Sequence, residues 1–476
     1  MTQLRGLRPG DRRVRIERVK PQELTVAPPR RARPLPPPGL VLVAGFATAI
    51  AIGMVLLMLP FASADGGWTD PLTALFTSTS AVCVTGLVVV DTATHWSAAG
   101  QLVILVLIQA GGFGIMTSST LLLFLLVRGR TRLRDRVLVQ ESIGEPQLGD
   151  VMAVVRRVAV FTLVAELVGA VLLTVAFAVG QDTSGPLESA WWGLFHSVSA
   201  FNNAGFDLTG GFRSLSPFAD DWIVLGVIGV LIVLGGLGFA IVADAAAKRR
   251  WARLGLESKV VLATSAVLLI GGAVTIAALE WTNPATLGSL PEPARMLNAT
   301  FESISLRTAG FSSMNVNAYV DGTLFIVMAL MFIGGAAGST AGGIKVSTFS
   351  TLLIAVSSTA RGRPSAEAFG RRIPHVVVYR ALAVALLAII FVFVVGLVLT
   401  ITSELRFVEV LFEAVSAFGT NGTTTGITRE LGPLSLIVVI ATMFIGRLGP
   451  LTVVLILAAA ARPTRYRPAV ELIRIG

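Results

Sequence analysis

One short pattern occurs four times along this chain, and any fold it adopts must give all four copies equivalent places. The copies are Val84-Thr85-Gly86-Leu87, Asn203-Ala204-Gly205-Phe206, Thr308-Ala309-Gly310-Phe311 and Thr420-Asn421-Gly422-Thr423. Their glycines lie 119, 105 and 112 residues apart. Each follows a short apolar run that carries serine: Leu75 to Ser80, Leu194 to Ser199, Phe301 to Ser305 and Leu411 to Ser416. Self-similarity at a steady long period marks an array of like structural units.

The sequence around these copies is apolar on the scale of a lipid bilayer. Long runs cover about 39–60, 98–127, 158–180, 222–246, 260–279, 324–357, 376–402 and 433–461, eight in all. A helix of roughly 20 apolar residues crosses a bilayer, and a chain that is 54% hydrophobic and 14% charged fits no soluble core. Between the two runs of each pair lies a shorter apolar run of roughly 10–12 residues, which at about 1.5 Å per residue reaches halfway across, and then the glycine loop. The expected fold is an all-α integral membrane protein of four span/half-helix/loop/span repeats, eight transmembrane helices around a central pore. It divides into a basic tail 1–38, repeats 39–127, 128–246, 247–357 and 358–461, and a tail 462–476.

Charge orients the array. Of 38 Lys and Arg, 31 fall in 1–38, 128–157, 248–259, 361–380 and 462–474. The glycine-loop stretches hold only Arg213, Arg295, Arg307, Arg406 and Arg429 against 16 acidic residues. The positive-inside rule then puts both termini in the cytoplasm and the glycine loops on the outside. The net charge of +10 is thereby accounted for as topology, and no nucleic-acid partner is expected. The Arg- and Pro-rich tail, ending Pro34-Leu35-Pro36-Pro37-Pro38-Gly39, favours extended chain and can rest on anionic lipid. The apolar run that follows is too long for a cleaved signal peptide. A single cysteine, Cys83, excludes a disulfide framework, and His95, His196 and His375 form no metal cluster. HExxH, GxSxG and paired intramembrane carboxylates are absent, so no enzyme is expected.

Four loops able to present backbone carbonyls around one axis are the parts of an ion-selectivity filter, in which oxygen ligands replace a cation's water. Glycine lets a carbonyl turn where a side chain would be strained. Half-helices preceding the loops aim their negative ends at the centre. The candidate filter residues are Val84, Thr85, Gly86, Asn203, Ala204, Gly205, Thr308, Ala309, Gly310, Thr420, Asn421 and Gly422. The competing reading is four ordinary glycine turns between helices.

Two further features break the apolar pattern. The sixth run is interrupted by Gly334, Gly335, Gly338, Ser339, Thr340, Gly342, Gly343 and Lys345. Five glycines in ten residues, at roughly 1 kcal/mol each relative to alanine, do not sustain a helix. Irregular backbone at membrane depth is tolerated where protein covers it or where it lines a wet cavity. Lining the pore is the simplest reading; close helix packing is the alternative, and a phosphate-binding loop is disfavoured because Ile344 follows the last glycine and no strand precedes it. The second feature is Arg447, an intramembrane cation and hence a functional candidate. Its structural alternative is an ion pair, with Glu166 as the deepest carboxylate and Asp244 near a cytoplasmic end.

Together the four copies resemble the Trk/Ktr/HKT superfamily of potassium transporters over about residues 40–461. Ser199-Ala200-Phe201-Asn202-Asn203-Ala204-Gly205-Phe206-Asp207 and Arg307-Thr308-Ala309-Gly310-Phe311 are similar to its second and third filter signatures, and the eight spans resemble the KtrB type of subunit. The resemblance implies K+ as transported ion with Na+ as a coupling candidate, residues 334–345 as an intramembrane gating loop, and Arg447 as an electrostatic barrier below the filter. It also implies a homodimer, a cytosolic ring of RCK-type nucleotide-binding subunits, no cofactor in this chain, and the plasma membrane as location. Glycine at 86, where sodium-preferring plant relatives resemble one another in having serine, argues for potassium. Cys83 and the polar Gly419-Thr420-Asn421-Gly422-Thr423-Thr424 depart from the usual pattern. A secondary transporter for a small solute is the alternative from another class, but its repeats are inverted whereas these share one orientation.

Overall fold

The computed structural model describes residues 38–129 and 148–449. The two tails, the segment 130–147 and the end of the last expected span, 450–461, lie outside the described residues. Among the described residues fourteen α-helices follow in order. The first unit is α1 (Pro38–Met58), α2 (Pro71–Cys83), a single turn α3 (Thr92–His95) and α4 (Ala98–Gly129); the second is α5 (Leu148–Gly180), α6 (Pro186–Phe201) and α7 (Trp222–Lys248). The third is α8 (Leu256–Glu280), α9 (Glu292–Ser305), α10 (Asp321–Phe332) and α11 (Val346–Ala360); the fourth is α12 (His375–Thr402), α13 (Phe407–Gly419) and α14 (Pro433–Leu448).

Six of these helices are long and apolar enough to cross a membrane: α1, α4, α5, α7, α8 and α12. The sixth apolar run is two short helices, α10 and α11, with irregular chain between them, and α14 is 16 residues long up to Leu448. The short helices α2, α6, α9 and α13 have 13, 16, 14 and 13 residues, more than the apolar runs alone indicated. Their starts are set by capping chemistry. Pro71 opens α2 behind Asp70, whose carboxylate accepts the amides of Leu72 and Thr73 at 3.0 and 3.2 Å, and Pro186 opens α6. Proline at the first turn loses no hydrogen bond, and a carboxylate cap satisfies amides the helix leaves free.

Packing repeats with the sequence. In each unit the short helix packs on the first helix, and a later helix of that unit packs on the short helix of the next: α4 on α6, α7 on α9, α10 on α13, and α14 back on α2. The array therefore closes into a ring. In three units a glycine on the first helix lets the short helix press in: Gly53 meets Ser78, Gly169 meets Ser197 and Gly272 meets Ser303. Those hydroxyls donate to the carbonyls of Ile50, Glu166 and Leu269 at 2.7, 2.6 and 2.7 Å. An alanine, Ala414, replaces the serine in the fourth unit, where Gly396 faces Leu411. The phenylalanine two residues before that position, Phe76, Phe195, Phe301 or Phe412, is buried in every unit.

α7 is not one continuous helix. Gly238 inside it has φ 73° and ψ 159°, and its α-carbon faces Ser339 and the Gly338 carbonyl of the segment between α10 and α11. A residue with a β-carbon rarely adopts that backbone, so the kink and the close approach share one cause.

Candidate functional site

Each short helix ends in the same alternation of backbone hand. Val84, Asn203, Thr308 and Thr420 have φ of 55°, 59°, 74° and 46°, and the glycines two residues on have φ of 92°, 70°, 79° and 94°. The residue between them, Thr85, Ala204, Ala309 or Asn421, donates its amide back to the carbonyl of Ser80, Ser199, Ser305 or Ser416 at 2.8, 2.8, 2.8 and 2.9 Å. The same serines fix the loop a second time. Ser80 and Ser416 hydroxyls accept the amides of Gly86 and Gly422, whereas those of Ser199 and Ser305 donate to the carbonyls of Phe206 and Phe311.

The four loops meet one another. A methyl placed on Gly86 would sit 2.5 Å from the Ala204 carbonyl oxygen, and one on Gly205 2.7 Å from that of Ala309. On Gly310 and Gly422 it would sit nearer still to the carbonyl oxygens of Asn421 and Thr85. Each glycine thus abuts the carbonyl of the next loop in chain order, and the fourth abuts the first. All twelve filter candidates are brought to this ring, and the close approach excludes a side chain at each glycine. The polar character of the fourth loop is used locally: the Asn421 side-chain amide donates to the Leu306 carbonyl at 2.8 Å, and the Asn421 side-chain oxygen accepts the Thr423 amide.

On one side of the ring a cavity of ≈ 430 Å³ opens, lined by all four glycines and by Asp207, Arg213, Ser312, Thr424 and Arg429. Asp207 is half-buried and accepts the Thr209 amide at 3.0 Å. Burial pushes its carboxyl up to about 6; the Thr209 amide acts against that rise and the charge of Asp91 adds to it.

The residue after the buried phenylalanine holds the outer limb of three loops. His196 Nε2 accepts the Leu208 amide at 3.3 Å while its Nδ1 donates to the Trp192 carbonyl, a neutral imidazole. Glu302 accepts the Ser313 amide at 2.7 Å and the Ser312 hydroxyl at 2.9 Å. Glu413 accepts the hydroxyls of Thr424 and Thr428 at 2.7 and 2.6 Å. Thr77, at this place in the first unit, has no such bond. Reading the sequence for glycines missed these residues. Aligning the four runs on their phenylalanine would have placed Thr77, His196, Glu302 and Glu413 in one column, although the column's chemistry varies too much to announce itself.

On the other side of the ring lies the segment 333–345. It is tied along its length. Gly334 donates to the Ile344 carbonyl, and Ala336 and Thr340 donate to the carbonyls of Gly236 and Gly235. The Thr340 hydroxyl reaches the Phe201 carbonyl and Asn203 Oδ1 at 3.2 and 3.0 Å. Gly342 lies against the Thr420 side chain, and Gly334 against Gly342 and Thr308. Ser339 caps the Ala336 carbonyl. The segment is irregular chain held by close packing.

Two buried cations, Arg307 and Arg447, and the half-buried Lys345 hold carbonyls of this segment. Lys345 donates to Ala341, Arg447 to Thr340, both at 2.5 Å, and Arg307 to Gly334 at 3.3 Å. Arg447 also reaches the Gly111 carbonyl at 3.5 Å. It pairs with no carboxylate among the described residues. Glu166 is occupied by Gln109 and Asn202 amides at 3.2 and 2.9 Å, and Asp244 by Lys248 at 2.6 Å, so the ion-pair alternative for Arg447 is not the arrangement present. Arg307, read in the sequence only as part of a filter signature, joins the loop because it follows α9 and points back under the ring. Gly343, with φ 60°, turns the segment into α11.

Among the described residues no group of histidine, cysteine, aspartate and glutamate has metal-site geometry. The oxygen-rich element is the ring of main-chain carbonyls.

The sequence profile described as "TrkH: Cation transport protein" matches residues 42–464. The chain is 39% identical over 418 residues to the Ktr system potassium uptake protein B of Bacillus subtilis, covering 88% of this chain and 92% of that one. It is 37% identical over 453 residues to the potassium/sodium uptake protein NtpJ of Enterococcus hirae, covering 94% and 99%. The crystal structure of the potassium transporter TrkH from Vibrio parahaemolyticus superposes with a TM-score of 0.70 at 20% identity, over 90% of this chain and 86% of that one. Four like units closed in a ring, a profile match over most of the length and relatives of nearly equal length agree: this chain is a multi-pass membrane protein of the TrkH family of cation transport proteins.

Proposed function

We propose that the chain is the ion-translocating subunit of a potassium uptake system, conducting K+ through a filter made by its four glycine loops and gated by residues 334–345. The observation that carries this reading is the closed order of glycine against carbonyl, 86 to 204, 205 to 309, 310 to 421 and 422 to 85. Such a ring supplies main-chain oxygens to a cation that has lost its water. The C-terminal ends of α2, α6, α9 and α13 converge on it and add negative potential. Beneath the ring, the segment pinned by Arg307, Lys345 and Arg447 blocks the axis, and its positive charges oppose a cation until the segment moves.

In this reading α10, the loop and α11 together form one broken span and α14 begins the last, which makes eight. Both termini and the basic connections face the cytoplasm of a cell whose plasma membrane holds the protein. The chain works as a homodimer on a cytosolic ring of RCK-type nucleotide-binding subunits, with Na+ as the coupling ion to test. The name of the Enterococcus relative, a potassium/sodium uptake protein, makes sodium the natural competitor. Rubidium uptake into proteoliposomes holding the purified chain is the direct test. Uptake that excess K+ suppresses and Na+ does not supports the reading; uptake of neither rubidium nor sodium by correctly assembled protein overturns it.

A further inference from the structure

Outside the ion path a lateral groove of ≈ 890 Å³ lies between α5 and α7. One wall is the row Val160, Val164, Val168 and Leu172, four residues apart on one stripe of α5 and each well exposed. From Arg156 to Leu172 the groove runs about 24 Å at 1.5 Å per residue, most of the ~30 Å thickness of a bilayer's hydrocarbon. Its ends differ in chemistry. At the end where α5 begins, Arg156 and Arg157 face out and make no ion pair among the described residues; at the other, Trp222 opens α7. Tryptophan favours the headgroup level of a bilayer, and paired arginines favour a phosphate.

We infer that this groove is a binding site for an anionic phospholipid, its phosphate held by Arg156 and Arg157 and an acyl chain laid along the valine row. A second copy of the chain suits the groove poorly. A two-fold axis in a membrane runs along the bilayer normal, so each protomer would bring its own arginine pair to the same depth and four positive charges would meet. An anionic lipid neutralises them. The site also has a route to the ion path. Phe161 lines the groove and packs edge-on against Phe201, 5.7 Å between centroids, and against Phe239 at 5.8 Å. Phe201 ends α6, and its carbonyl accepts the Thr340 hydroxyl of the segment under the ring. Lipid occupancy therefore bears on the side of the residues that carry that segment.

Native mass spectrometry of the purified full chain, exchanged into detergent with equal phosphatidylglycerol and phosphatidylcholine, reads the site without reference to transport. The wild type is expected to retain phosphatidylglycerol in preference, on the order of tenfold for two arginines at a membrane surface. The double substitution Arg156→Gln and Arg157→Gln should abolish that preference while leaving retention of phosphatidylcholine in place. Val164→Trp, which fills the groove, should lower retention of both lipids. A wild type with no preference, a double variant that keeps it, or Val164→Cys protomers that cross-link to each other in the membrane would each overturn the assignment.

Discussion

Gly86 is the residue on which selectivity is most directly tested. Its φ of 92° already belongs to glycine, and a β-carbon would press on the Ala204 carbonyl. Gly86→Ser is therefore expected to displace one quarter of the oxygen ring and to add a hydroxyl beside it. If the displaced oxygens cost K+ about 1.4 kcal/mol relative to Na+, discrimination falls about tenfold. Reversal potentials in mixed K+ and Na+ measure it, and an unaltered permeability ratio would remove this loop from the filter. Asp207 carries the second residue-scale expectation. With its carboxyl pushed up to about 6, it is charged at neutral pH and becomes neutral as external pH falls below that value. Uptake from dilute K+ should drop across that interval, and Asp207→Asn should be low and flat throughout. A variant that keeps the wild-type pH profile would place the titrating group elsewhere. The glycines were legible in the sequence because only glycine fits a left-handed turn pressed against another backbone. The serines, His196, Glu302 and Glu413 were not, because their hydrogen bonds go to main-chain groups whose positions only the closed ring defines.

At the scale of elements, the break between α10 and α11 was legible from glycine content alone, since no tertiary contact rescues five glycines in ten residues. Which groups take its free amides was not legible. Two of those partners are the carbonyls of Gly235 and Gly236, exposed one turn before the kink at Gly238 in a helix that reads as continuous by composition. Arg447 shows the same limit: its burial was evident, its partner was not. Arg447→Gln should remove both the charge under the ring and the bond to Thr340, raising cation flux by about tenfold or more, since a buried unit charge opposes a cation by several kcal/mol at low dielectric. Flux through protein of normal thermal stability decides it; lost fold with no gain of flux favours a purely structural clamp. Deleting Ala336 to Thr340 makes the stronger test of the element. The helices on either side keep their own packing, so the expected outcome is assembled protein with raised flux and reduced response to the proposed cytosolic ring. Flux that stays low and still rises with the partner would locate the gate in another part of the path.

For the whole molecule, orientation is open to a chemical test because Cys83 is fully buried and gives a silent background. Ala64→Cys, exposed beyond α1, should react with a membrane-impermeant maleimide on intact cells, whereas Arg361→Cys, exposed after α11, should react only once the membrane is opened. Labelling of both from outside would refute the topology drawn from the charge distribution. The long apolar helices and their order were legible because hydrophobic length is a property of the chain itself; the circular order of packing was not, because it depends on which helix meets which.

That circular order has a consequence for how such a filter can vary. All four quarters are encoded in one continuous gene product, so each is free to drift by itself, and the ring is under no obligation to be symmetric. The hydroxyls behind it already split into two acceptors and two donors, and the residue before the glycine is asparagine in the fourth loop but alanine in the second and third. A tetramer of identical chains changes four oxygens with every mutation; here selection can adjust one at a time, in small steps, while the other three keep the conductor working.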